Sequence, residues 1–153
     1  MALRIRDLAP ADVPAVARLV VGTLAEFGFS SQVGGVERDL ASVLETYRAP
    51  TGGFWVAEGE AGDVVGTVAI RPKEARTCEL KRLYVRTDRR GEGLGDRLYG
   101  HAEAFARRAG YDRIWLDSSR RFAKAHRLYL RHGFVLLESL QNDWEDDVFE
   151  KRL

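Results

Sequence analysis

The sequence predicts an α/β (α+β) fold: a single mixed, mostly antiparallel sheet with a parallel strand pair at its centre, flanked by about four helices. Three observations carry this. Two β-branched, aromatic runs, GFWVAE (53–58) and VVGTVAIR (64–71), flank the turn sequence GEAGD and read as a hairpin. A third run, TCELKRLYV (77–85), passes through the loop DRRGEGLG (88–95) into a helical stretch and on to the strand RIWLD (113–117), a crossover that implies a parallel pair. The 153 residues are 45% apolar and 31% charged, hold neither an internal repeat nor a linker, and so predict one domain over residues 1–153.

Residues 3–6 alternate apolar and basic side chains, a short strand. Pro10 opens a helix where no amide donor is needed; Val13, Val16, Ala17, Val20, Val21 and Leu24 follow at helical spacing, and Gly28 ends it. Residues 27–35 (FGFSSQVGG) form a loop, and Val36, Leu40, Val43, Leu44 and Tyr47 mark the face of a second helix. After the hairpin, Pro72 is expected to break the chain before the third strand. Leu94, Leu98, Ala102, Phe105, Ala106 and Ala109 then recur every three or four residues until Gly110 stops the helix. Residues 122–132 make the last helix, closed by Gly133, and residues 134–140 and 148–153 bracket the turn QNDWEDD as a final hairpin. Within the third strand, Leu80 and Leu83 are three apart, so strict alternation puts them on opposite faces. Either a bulge realigns them and frees backbone for a ligand, or helices cover both faces.

Lys and Arg number 24 against 23 Asp and Glu, a net charge of +1, so no global drive toward nucleic acid or an anionic membrane exists. The single cysteine, Cys78, closes no intrachain disulfide, and a lone Cys in a strand reads as buried filler rather than a nucleophile. His101, His126 and His132 do not repeat at metal-ligand spacing, so no metal is expected. No run approaches the roughly 18 apolar residues of a membrane span, and the N-terminus MALRIRDLAPADV is charged where a secretory signal is apolar; a cytoplasmic chain is expected.

Function is most legible in the loop Arg90-Gly91-Glu92-Gly93-Leu94-Gly95, set between a strand and a helix. A helix N-terminus leaves amide donors unpaired and carries partial positive charge. Glycines let a phosphate approach that backbone, and Arg89 and Arg90 add formal charge. A P-loop needs Lys and then Ser or Thr after its last glycine, whereas Asp96 and Arg97 follow Gly95; the dinucleotide fingerprint needs a different spacing. The alternative is a turn that needs positive φ and nothing more.

At this point the sequence resembles the GNAT acetyltransferase family. That family's coenzyme motif, Arg or Gln, two residues, Gly, one residue, Gly or Ala, is matched by Arg90, Gly93 and Gly95; its preceding strand by Leu83, Tyr84 and Val85; and its A-x-x-L-Y-x-x-x-G-F helix by Ala125, Leu128, Tyr129, Gly133 and Phe134. The resemblance spans nearly the whole chain and implies transfer of an acetyl group from acetyl-CoA to a primary amine. It implies that Leu83, Tyr84, Val85, Arg90, Gly91, Glu92, Gly93, Leu94, Gly95, Ser118, Phe122 and Ala125 hold the coenzyme. One position departs: many members carry Asn where this chain has Phe122, though some have Phe, and Ser118 or Ser119 is the candidate replacement for that polar contact.

An ammonium must lose a proton before attack, charge must be stabilised on the thioester oxygen, and the departing thiolate needs a proton. The resemblance implies Tyr129 as the acid and Glu79 as the base; the alternatives are a core tyrosine, and a salt-paired carboxylate with ordered water serving as base. Backbone amides around Leu83 to Val85 are candidates for the oxygen. Phe27, Phe29, Trp55 and Trp144 are candidate walls of an acceptor pocket, and Asp143, Glu145, Asp146 and Asp147 either attract a cationic acceptor or form a solvated hairpin tip. Of Arg120, Arg121, Lys124, Arg127 and Arg131, one or two reach the coenzyme's 3′-phosphate or all face solvent. The expected acceptor is a small-molecule amine; a protein or peptide amine, and a non-catalytic acyl-CoA-binding regulatory module, are the alternatives. A homodimer is compatible with the resemblance, and no residue marks its interface.

Overall fold

The computed structural model describes residues 3–29 and 42–153, which build a seven-stranded sheet and four α-helices. The strands are β1 (Arg4–Asp7), β2 (Gly53–Glu58), β3 (Val64–Glu74), β4 (Thr77–Val85), β5 (Arg113–Ser119), β6 (Val135–Ser139) and β7 (Asp146–Arg152). The helices are α1 (Val13–Glu26), α2 (Val43–Thr46), α3 (Leu94–Arg108) and α4 (Ala123–Arg131). The strand order is β1-β2-β3-β4-β5-β7-β6, and every neighbouring pair is antiparallel except β4 with β5. This is the mixed sheet with one central parallel pair that the crossover predicts. The loop beyond Phe29 and the second helix's residues 36–41 lie outside the described residues.

Each face of the sheet covers its own core. On one face, Leu94, Leu98, Tyr99, Ala102 and Ala106 of α3, with Leu128 and Tyr129 of α4, pack on Trp55, Val68, Ile70, Cys78, Leu80, Ile114 and Leu116. On the other, Val16, Val20 and Leu24 of α1, with Val43 and Tyr47, pack on Phe54, Val56, Val64 and Ala69. The strict alternation of β2, with Trp55 and Ala57 on one face and Phe54 and Val56 on the other, is the period-two pattern of a strand buried on both sides.

Several boundaries differ from the sequence reading: β5 runs on to Ser119 rather than ending at Asp117, and two others have a clear reason. β3 runs through Pro72 to Glu74, because β2 ends opposite Ile70 and the ladder with β4 shifts register between Pro72 and Glu74, two settings where a missing donor is tolerated. β7 begins at Asp146 rather than Val148, so part of the expected acidic turn is strand. At the sheet edge, β6 exposes Val135, Leu136 and Leu137. No helix among the described residues is long and apolar enough to cross a membrane.

Candidate active site

The parallel pair is short. β4 and β5 pair only at Thr77–Arg113, Cys78–Ile114 and Glu79–Trp115, and beyond them β5 continues with β7 alone. From Leu80 onward the β5-facing backbone edge of β4 has no partner strand among the described residues. The strands part there around a cavity of about 470 Å³, lined by Leu80, Lys81, Arg82, Leu83, Tyr84, Asp117, Ser118, Ser119, Phe122, Ala125, Tyr129, Trp144 and Asp146.

A bulge shapes the β4 side. Thr67 pairs with Tyr84 and Ala69 with Lys81, so Val68 alone faces both Arg82 and Leu83. Arg82 takes a left-handed φ of 58°, and the buried Thr67 hydroxyl donates to its carbonyl at 2.7 Å. The extra residue turns Leu83 toward the core that already holds Leu80. Of the two readings open at the sequence level, the bulge is the one found.

The glycine loop lies past the cavity, where β4 ends. Gly91 and Gly93 have φ of 83° and 78°, and a Cβ at either would meet nothing within 4 Å. Gly93 caps α3 without a side-chain hydrogen bond. Among the described residues no acceptor meets the amides of Gly91 to Asp96; the first bond is from Arg97 N to Gly93 O, at 3.2 Å. Gly95 has a packing reason instead, since a Cβ there would lie 3.2 Å from Leu128 Cδ1. Leu94 drives its side chain into the core, whereas Glu92 is exposed and pairs with Arg89 at 3.5 Å. Arg90 is held in place: its Nε donates to Val85 O at 2.9 Å and its Nη1 to Glu26 at the end of α1 at 2.6 Å, a contact that lowers the Glu26 carboxyl below its usual range. Open amides, glycines at left-handed φ and clear space beside them fit a diphosphate.

Tyr129, only 6% exposed, lines the cavity between Phe134 and Phe149, at ring distances of 5.6 and 5.8 Å. Among the described residues its hydroxyl has no hydrogen-bond partner. Burial, with the Tyr84 phenol nearby, raises its pKa, so it stays a proton donor. Phe122 lines the cavity and packs on Phe27, Phe29 and Tyr84 at 4.8, 5.8 and 6.2 Å. Phe29 in turn stacks on Trp144 at 4.9 Å. Trp55 is buried on the α3 face, away from this wall.

Glu79 is 7% exposed and pairs across the sheet with Arg71 at 3.0 Å; its other oxygen lies 3.9 Å from Lys81, and it is not among the cavity-lining residues. Two carboxylates do line the cavity: Asp117, which the sequence does not single out, and Asp146, one of the acidic turn residues that the sequence leaves open between drawing a cationic acceptor and forming a solvated tip. Asp117 shares a strand face with Trp115, and Asp146 pairs in register with Ser119. Only the register of β7, which no local pattern reveals, shows that Asp146 is no hairpin tip. Burial, reinforced by Asp117, raises the Asp146 pKa.

The remaining candidates sort by their partners. Arg120, Arg121 and Arg131 are tied to Asp147, Glu145 and Asp96 at 2.9, 2.7 and 3.0 Å, while Lys124 and Arg127 form no ion pair among the described residues. Burial pushes the Cys78 thiol up to about 12, so it is no nucleophile near neutral pH. No group of three metal-ligating side chains occurs among the described residues.

A sheet parted at its one parallel pair, with a glycine-opened helix at one end of the gap and a buried phenol in its wall, defines an acyltransferase. The chain belongs to the acetyltransferase (GNAT) family, whose sequence model matches residues 23–134. It is 34% identical over 145 residues to an uncharacterized N-acetyltransferase of Schizosaccharomyces pombe, covering 94% of this chain and 89% of that one. Its fold is similar to an acetyltransferase of the GNAT family from Staphylococcus aureus Mu50, with a TM-score of 0.88 at 19% identity over 99% of both chains. It is similar also to the PaiA N-acetyltransferase from Thermoplasma acidophilum in complex with coenzyme A, with a TM-score of 0.77 at 18% identity over 100% of both. The family's acyl donor is acetyl-CoA.

Proposed function

We propose that the chain transfers the acetyl group of acetyl-CoA directly to the primary amine of a small-molecule acceptor. The observation that carries this is Tyr129, a buried side chain whose hydroxyl has no hydrogen-bond partner among the described residues, in the wall of a cavity that opens where β4 and β5 part. The amides of Gly91 to Asp96 bind the diphosphate, and Arg90, braced by Glu26, holds the loop in shape. The β4 edge from Leu83 to Val85 offers backbone to the pantetheine arm as a neighbouring strand would, and amides to the negative charge that develops on the thioester oxygen. Ser118, Phe122 and Ala125 form the opposite wall. Tyr129 donates its proton to the departing thiolate. A recessed cavity of about 470 Å³ is of a size for a small molecule.

Calorimetry with acetyl-CoA, followed by thiol-release assays over small amines and peptides, tests the reading. Binding with turnover of a small amine supports it. No binding at high micromolar acetyl-CoA refutes it, and binding without thiol release across the whole panel leaves a regulatory acyl-CoA module in its place.

A further inference from the structure

The cavity's composition goes further than its donor half. Beyond Tyr129 it presents Asp117 from β5 and Asp146 from β7, two residues out of register on neighbouring strands and electrostatically coupled, together with Trp144 and Phe122. Glu79 is set back, with one oxygen on Arg71 at 3.0 Å and the other toward Lys81 at 3.9 Å. Asp146 instead accepts one hydrogen bond from the neutral Asn142 amide at 3.1 Å. The unpartnered, nine-tenths buried phenol of Tyr129 in the same cavity marks it as a place where a ligand completes the hydrogen bonding.

We infer that Asp117 and Asp146 seat the ammonium of a monoamine with an apolar or aromatic body, lying against Trp144 and Phe122, and that Asp146 takes its proton. This rests on the acetyl-transfer reading. Lys81 and Arg82 stand on the same wall as the two carboxylates, so a second ammonium of a polycation would meet cationic side chains there. The two carboxylates give an ammonium its counter-charge, and Trp144, backed by Phe29, with Phe122 gives the rest of the acceptor an apolar face. The protons balance. The ammonium gives one to an Asp146 oxygen, which passes it to water; the freed lone pair forms the C–N bond as the C–S bond breaks. The nitrogen sheds a second proton to solvent, Tyr129 protonates the thiolate, and solvent restores the phenol. The groups that set the Asp146 titration are Asp117, which raises it along with burial, and Lys81, Arg120 and the Asn142 amide, which lower it.

The test uses Asp146→Asn, Asp117→Asn and Glu79→Gln, with acetyl-CoA affinity by calorimetry as the measure of folding and of the donor reading. Acetyl-CoA affinity within about twofold of the parent is expected for all three. Asp146→Asn should lower kcat/KM for phenethylamine by about 10²-fold at pH 7, recover about tenfold per pH unit as the free amine accumulates, and show a much smaller defect with a fluorinated amine that is already neutral. Asp117→Asn should raise KM more than it lowers kcat, and phenethylamine should exceed spermidine by at least about tenfold in kcat/KM in the parent. If the parent does not bind acetyl-CoA, the acetyl-transfer reading itself falls. If it binds and Asp146→Asn is equally impaired with both amines at every pH, or Glu79→Gln alone gives the pH-dependent loss, or spermidine is preferred, this inference is overturned.

Discussion

Replacing Tyr129 by Phe separates a catalytic phenol from a core ring, because the two readings move stability and turnover in opposite ways. The ring contacts to Phe134 and Phe149, at 5.6 and 5.8 Å, survive the change, and only a hydroxyl with no partner among the described residues is lost. A buried polar group left unsatisfied costs about 1–3 kcal/mol, and contact with cavity solvent relieves part of that for Tyr129. Tyr129→Phe should therefore be neutral to about 1 kcal/mol stabilising, which at this chain length is a melting temperature unchanged or raised by no more than about 4 °C. Turnover should fall by roughly 10²-fold, the lower end for removal of a general acid, with acetyl-CoA affinity held within about twofold. Because burial and Tyr84 raise the Tyr129 pKa, its donor form persists as pH rises. The alkaline loss it causes in the parent should begin only above the ordinary tyrosine value of about 10. Thermal melts, calorimetry and thiol release on one preparation decide it. Full turnover in the variant, or a fall in melting temperature beyond about 4 °C, would refute the reasoning.

Gly93→Ala places a side chain at φ 78° in open space, so it should cost about 1–2 kcal/mol in stability from the backbone and weaken acetyl-CoA binding at least about tenfold by calorimetry. Gly95→Ala has no such φ and meets the flexible ends of Leu128 and Val85, so it should keep acetyl-CoA affinity nearer the parent's than Gly93→Ala does. Thr67→Val removes the bond to Arg82 O at the bulge; about 0.5–1.5 kcal/mol should be lost in denaturant melts, with kcat falling as the β4 edge shifts. Cys78→Ala should keep full turnover, and the native thiol should resist alkylation at pH 8, because its pKa is about 12 and its site is buried.

What the sequence disclosed follows how local each feature is. The glycine loop, the last strand turns before it and the tyrosine helix are each written within about ten consecutive residues, and local periodicity and turn chemistry are what a sequence displays. The Leu80–Leu83 spacing narrowed that strand to two arrangements, one of them the bulge found, because an alternation error inside a buried strand has few structural solutions. The fate of Pro72 was hidden, since it depends on where β2 ends, nineteen residues upstream at Gly53 pairing with Ile70. The partner of Glu79 was hidden in the same way: Arg71 reaches it only through the β3–β4 register, in which the two residues face each other.

The same distinction divides the site. Its donor half is one stretch of chain, β4 running into the glycine loop and α3, so a chain that keeps the motif keeps the geometry. Its acceptor half is assembled from Asp117 on β5, Asp146 and Trp144 around the start of β7, and Phe122 at the head of α4, residues that meet only because β7 inserts between β5 and β6. Inserting β7 there also leaves β5 with a neighbour on its far side after it parts from β4, which keeps Leu116 to Ser119 extended beside an open gap. The strand that holds the gap open is therefore the strand that carries Asp146 into it. Acceptor preference then depends on pairing register as well as on side-chain identity: a one-residue slip of β7 would turn Asp146 to the opposite face and leave the donor half as it is.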